Sequence, residues 1–289
     1  MQFSVAQKSR EHRYWRLALE YSVTLIRYTV LIALAFGTLG PFVMMISVSF
    51  TKDIMFISFP IRLIPNPITL DNFLLLFRKT MVLRWLFNSV YTTTMGVLFT
   101  LITSSLAGYA FARGDFIGKN LLFTLFLGML MVPMTARIVP MFIVLAKLNI
   151  VNTYWALIGP WLASAFGTFM LRQSYLGIPR DYDDAAKIDG ANEFHIYYKV
   201  LLPQITPSLA TLATIRFMVQ WNDFLYPMVV TSRAHLRTLT VGLGTVVRQG
   251  GDAGLDMAGA VMGFLPTFIV FLIGQRYIVR GVPLSGLKG

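Results

Sequence analysis

Arg216 lies inside an apolar run from about Ser208 to Val230, long enough to cross a bilayer. A charged side chain at such a depth is costly and marks a functional hypothesis by default. Gln220, four residues on, and Asp223, seven on, share its helical face. Two readings stand. In one, this face lines a polar path, joined by Asn88 at the start of an earlier apolar run. A guanidinium there suits an anionic ligand, because it grips carboxylate or phosphate bidentately. In the other, Arg216 pairs with a carboxylate on a neighbouring helix, and Trp221-Asn222-Asp223 anchors an outer interface. Trp155, Trp161 and Tyr226 offer flat faces to a ring-shaped ligand, and serve equally as membrane-interface belts.

Other chemistry is sparse. There is no cysteine, hence no disulfide and no thiolate metal site. His12, His195 and His235 are far apart and make no ligand spacing. A membrane-embedded enzyme would need clustered ionisable or nucleophilic groups with a base in reach, and only Arg216 and Asp223 are candidates. Gly114 to Asn120 approaches a phosphate-binding loop but is one residue short between its glycines and has no Ser or Thr after Lys119.

The second concentration of polar residues is Pro179 to Pro207. Asp181, Asp183 and Asp184 crowd a first helical turn, where carboxylates suit the positive end of the dipole. Ala185-Ala186 follow, small and strongly helix-forming. Gly190 stands where a helix end needs a left-handed residue, and Asn192 can cap a second helix. Phe194, Tyr197, Tyr198 and Leu201 recur at i, i+3, i+4 and i+7 as one apolar stripe, and Pro203 stops it. Two short helices with a sharp bend are expected. They either pack only on their own protein or dock on another.

The elements that position these residues are membrane helices. Of 289 residues, 56% are hydrophobic and 13% charged, with a mean hydropathy of +0.64, outside the soluble range. The net charge of +12 sits in short loops and tails, so topology and anionic lipid account for it and nucleic acid is not implied. Six spans are expected, at about 28–50, 85–112, 121–145, 154–170, 208–230 and 257–278. The third is broken around Pro133 and Pro140, with a turn after about Met134. Small residues Gly96, Ser104, Ser105 and Gly108 on the second span permit close helix approach. The segment from Tyr14 to Tyr28 lies along the membrane surface or leads directly into the first span. Lys and Arg number 14 on the side of the N-terminus and 10 opposite, which favours both termini in the cytoplasm. A stand-alone secondary transporter would show matched broken repeats, and no partner for the Pro133–Pro140 break is seen.

Asp184-Ala185-Ala186, then Asp189-Gly190-Ala191, then Leu202-Pro203 resemble the EAA loop of ABC importer permeases, with Asp184 where the family usually has Glu. Asn88-Ser89, Tyr109 to Arg113, Pro133 and Pro140, Asn152-Thr153, Phe166 to Gln173, Trp221 to Asp223 and the closing Gly286 to Gly289 extend the match to carbohydrate-type permeases. The resemblance implies an all-α membrane protein of six transmembrane helices with the type I importer (MetI-like) fold. It implies a cytoplasmic N-terminal segment 1–27, a first helix with extracytoplasmic loop 28–84, a core 85–280 carrying the coupling loop 179–203, and a cytoplasmic tail 281–289. It further implies a non-catalytic subunit of the bacterial inner membrane. The expected partners are a second, homologous permease chain (a heterodimer), two ATPase subunits holding ATP and Mg, and an extracytoplasmic binding protein delivering a sugar or oligosaccharide. Asp183, Asp184, Ala185, Ala186, Asp189, Gly190 and Ala191 would couple to the ATPase. Asn88, Arg216, Gln220, Asn222 and Asp223 are the pathway candidates. Similar permeases commonly have an uncharged residue at the position of Arg216, which suggests an acidic sugar; a sugar phosphate or a polyol is the alternative.

Overall fold

The computed structural model describes residues 2–51, 64–248 and 253–280, with side chains from residue 20 onward except at 247–248 and 279–280. Residues 52–63 of the expected loop and the tail 281–289 lie outside these residues. The described chain is helical: α1 Gln2–Ser49, α2 Asp71–Lys79, α3 Val82–Arg113, α4 Lys119–Gly128, α5 Met134–Lys147, α6 Tyr154–Ile158, α7 Ala165–Leu176, α8 Asp181–Ile188, α9 Glu193–His195, α10 Thr206–Trp221, α11 Leu225–Val230, α12 Leu239–Arg248 and α13 Ala253–Arg280. A π-helical turn, Ile196–Leu201, follows α9.

Among the described residues, those up to 73 with 253–258 form one compact unit, and the others form the second. In the first unit α1 is unbroken for 48 residues, the geometry of a lead-in rather than of a separate surface helix. An antiparallel bridge joins Thr51 to Ile68. Asn72, in the first turn of α2, donates its amide to the Ser49 and Thr51 carbonyls at 3.0 and 2.9 Å. It thereby satisfies oxygens that the end of α1 leaves open.

The second unit is organised around α3. Its small residues do what their spacing implies: Ser104, Ser105, Gly96 and Gly108 are all buried. A Cβ at Gly108 would stand 3.0 Å from the Arg172 backbone nitrogen, and one at Gly167 would stand 2.5 Å from Ser104 Oγ. A larger residue at either glycine would therefore require α3 and α7, or the side chain between them, to shift. Arg172 adds a fastening, donating from Nε to the Phe111 carbonyl at 3.1 Å while its guanidinium lies 4.1 Å from the Phe123 ring centroid.

The described residues contain four helices long and apolar enough to cross a membrane, 20–49, 82–113, 154–176 and 253–278. A fifth crossing is counted if 119–131 and 134–147, bent by 107°, act as one. Six full-length spans are thus not seen. The difference lies at α10, whose 16 residues give about 24 Å at 1.5 Å per residue. The expected run to Val230 stops at Trp221 because Asn222 and Asp223 interrupt it. Asp223 Oδ1 accepts from the Tyr226 amide at 3.4 Å and restarts the chain as α11. The break in the third run also differs from expectation: Pro133 opens α5, Met134 begins it, and Pro140 is carried inside it.

Candidate functional site: an anchored helical loop and a two-arginine cavity

The loop between α7 and α10 folds as its sequence suggests, with one change. Gly190 has φ +79°, and the end of α8 closes by Ala191 N–H to the Ala186 carbonyl (2.9 Å) and Gly190 N–H to the Lys187 carbonyl (3.0 Å). This paired pattern needs the left-handed residue at its centre. Asn192 Oδ1 then accepts from the His195 amide at 2.8 Å and opens the second helix. After His195 the helix widens, Leu202 N–H reaching the Tyr197 carbonyl. The expected single stripe splits as a result. Ile196, Tyr197 and Leu201 enter a core with Ala112, Leu171, Tyr175, Ile205 and Leu212. Phe194 and Tyr198 stack on each other with their ring planes 9° apart and face outward, 69% and 57% exposed.

Asp183 is the main departure. The resemblance places it among the residues that meet a partner, yet it is buried. Its Oδ2 lies 3.2 Å from Arg113 Nε, and Arg113 donates from its terminal nitrogen to the Ile178 carbonyl at 2.7 Å. The last residue of α3 thus holds both the entry to α8 and its first turn. The signal was present in the sequence, since Arg113 ends the Tyr109–Arg113 motif, but spacing alone could not pair residues seventy positions apart.

A second fastening is more open to solvent. The Tyr109 hydroxyl donates to Glu193 Oε2 at 2.7 Å, and Lys187 Nζ lies 3.2 Å from Oε1. The Tyr109 hydrogen bond, with Lys187 behind it, holds the Glu193 carboxyl below its usual range. Deeper in, the Ser105 and Tyr197 hydroxyls meet at 2.7 Å. Ala186 and Ala191 pack against the core beneath, while Asp184, Ala185, Asp189 and Gly190 are exposed. Tyr182 and Ile188, 50% and 87% exposed, join Phe194 and Tyr198 as outward apolar groups on a loop whose root is fixed. The arrangement is that of a stiff arm with a greasy tip.

The pathway candidates do not form one surface. Asn88 is fully buried: its amide donates to the His235 and Arg237 carbonyls (2.8 and 2.9 Å), and its Oδ1 accepts from the Tyr154 hydroxyl (2.7 Å). It fastens the 234–237 turn. Gln220 turns toward α3, donating to the Thr92 carbonyl at 3.0 Å and filling the space over Gly96. Asn222 is exposed and donates back to Met218. Asp223 receives the Tyr226 amide, and its carbonyl receives the Thr240 hydroxyl. Of the aromatics, Trp155 faces outward, and Tyr226 is sealed in the core, where its hydroxyl donates to the Ala156 carbonyl.

Arg216 goes a different way. Its guanidinium lies 4.9 Å from the Trp161 ring centroid and lines a cavity of about 280 Å³ shared with Arg137, Ser164, Phe166 and Val219. No carboxylate lines this cavity, so the structural ion pair is not formed among the described residues. Arg137 comes from the broken third run, between Pro133 and Pro140. Only the bend before α5 brings it to Arg216, and nothing local in the sequence encodes that meeting.

Residues 101–282 match the family described as binding-protein-dependent transport system inner membrane component. This range spans the anchored loop and both arginines. The chain is 38% identical to the arabinooligosaccharides transport system permease protein AraQ of Halalkalibacterium halodurans, over 89% of this chain and 93% of that one. It is 33% identical to the trehalose/maltose transport system permease protein MalG of Thermococcus litoralis, over 89% and 94%. In fold it is similar to a chain of a bacterial ABC transporter involved in the import of the acidic polysaccharide alginate, with a TM-score of 0.80, 20% identity, and 88% and 95% of the two chains covered. A helical core with a fixed, outward-facing loop and a match of this extent place the chain in the family of inner membrane components of binding-protein-dependent transport systems, with the MetI-like permease fold.

Proposed function

We propose that this chain is a non-catalytic permease subunit of an ATP-driven importer for a sugar or oligosaccharide, and that the loop 179–203 is its lever on a separate ATPase. The observation that carries this reading is the loop's construction: exposed Tyr182, Ile188, Phe194 and Tyr198 on a root tied to α3 by Arg113–Asp183. A rigid arm transmits displacement, and a soft loop would absorb it. ATP and Mg belong to two partner ATPase subunits. A second, homologous permease chain completes the pathway as a heterodimer, and an extracytoplasmic binding protein delivers the substrate. Both termini and the loop lie in the cytoplasm. Sugar as substrate class is supported by the names of the relatives, which transport arabinooligosaccharides and trehalose or maltose.

Gly190→Pro tests the lever. Proline locks φ near −65° where the chain needs +79°, and it removes the Gly190 N–H donor to Lys187. The variant should insert and assemble, retain ATP hydrolysis and lose sugar uptake. Normal uptake would remove the loop from the coupling mechanism.

A second reading concerns charge. Arg216 favours an acidic sugar over a polyol, because its guanidinium has no carboxylate beside it in the cavity. A sugar phosphate would satisfy it equally.

A further inference from the structure

Arg137 and Arg216 share one cavity, with the Nε of each buried and without a hydrogen-bond partner. Two like charges on one cavity repel, and a buried donor left without a partner is costly. Structures keep such a pair where an anion completes it.

The backbone adds to the same polarity. Pro133 breaks the chain ahead of α5, and Met134 and Arg137, in its first turns, line the cavity. A second break precedes α7, whose first residues Ala165 and Phe166 line it too. Helix starts carry partial positive charge. Discontinuous membrane helices that aim their N-termini at an anionic group are a recurrent way to bind one at depth. Ser164 takes one of these amides, accepting from Gly167 N at 2.9 Å. Trp161 lies under the Arg216 guanidinium and holds it at the cavity wall by a cation–π contact. The volume, about 280 Å³, lies near the lower end of small-ligand sites, roughly 300–1,000 Å³, which is room for one sugar unit rather than a chain.

We propose that Arg137 and Arg216 together form a subsite for the carboxylate of a single uronate unit. This rests on the sugar-permease reading above and names its substrate class. Arg137 is the specificity-determining partner of Arg216.

The test uses the assembled transporter in lipid nanodiscs, titrated calorimetrically with trigalacturonate and with the same trisaccharide after carboxyl reduction. Trigalacturonate should bind at least tenfold more tightly than the neutral form. Loss of one charged hydrogen bond lowers affinity roughly 10- to 100-fold. Arg137→Gln and Arg216→Gln should each do so for trigalacturonate and leave the neutral trisaccharide unaffected. Arg137→Lys, which keeps the charge and loses the fork, should retain a preference for the acid. An acid-to-neutral ratio near one in the wild-type complex, or unchanged in Arg137→Gln, overturns the subsite. So does loss of subunit assembly in both glutamine variants, which would mean that a neighbouring chain's carboxylate fills the pair. ATP-driven uptake of neutral sugars without any acid preference would remove the subsite and leave the permease reading standing. A complex that takes up no sugar of a broad panel would remove the reading beneath it.

Discussion

The ion pair between Arg113 and Asp183 gives the sharpest energetic prediction. The atoms are 3.2 Å apart, and the side chains are only 7% and 10% exposed. At an effective dielectric near 20 the Coulomb attraction is about 5 kcal/mol, against which both charges lose hydration. Removing one partner is worse than removing both, because it strands a buried charge, at about 3–5 kcal/mol. Asp183→Asn should therefore loosen the start of α8 by about 3 kcal/mol, which is roughly 100-fold faster hydrogen exchange for amides that open locally. Arg113→Met should cost at least as much, since the bond to the Ile178 carbonyl also goes. The double variant should recover part of the loss, and the cycle should return a coupling of at least about 1 kcal/mol. Hydrogen exchange of peptides spanning 179–203 in the reconstituted complex measures all three. The reasoning is refuted if the single variants exchange like the wild type, or if their effects simply add.

Two further variants separate structural from functional roles. Asn88→Ala leaves the His235 and Arg237 carbonyls and the Tyr154 hydroxyl without their partner, at about 1–3 kcal/mol for each buried group left unmet. It should lower thermal stability and expose the 234–237 turn to protease while sugar preference is unchanged; altered preference with unchanged stability would return Asn88 to the pathway. Glu193 has its carboxyl pKa depressed in the folded loop, chiefly by Tyr109. Its contribution is complete above the ordinary carboxylate value near 4.3 and is lost as pH falls through the lower folded value. Tyr109→Phe should raise the midpoint of the Glu193 carboxyl band in an infrared titration, and an unmoved midpoint would mean that the contact does not persist in the membrane.

Local chemistry carried far in this sequence. The Gly190 turn, the Asn192 cap and the small-residue face of α3 each need only neighbouring residues and a spacing, and the structure has all three. Asn152 shows where that ends. Its φ is +59°, and its Oδ1 gathers the Ser232 and Arg233 amides, a role that exists only once residues eighty apart have met. The Arg113–Asp183 pair, the inward turn of Gln220 and the meeting of Arg137 with Arg216 were illegible for the same reason. The split of the Phe194–Leu201 stripe has another cause: an α-helical period was assumed where the backbone widens to a π turn.

The absence of cysteine makes single-cysteine labelling the most direct test of the lever. Ile188→Cys and Phe194→Cys place thiols at the exposed tip, and Ile117→Cys places one at a fully exposed site off the loop. In inside-out membrane vesicles the tip thiols should react with a membrane-impermeant maleimide when the ATPase is stripped and be protected when it is bound. The Ile117→Cys thiol should react alike in both. Equal labelling of the tip with and without the ATPase would contradict the claim that this loop is where the permease receives its drive.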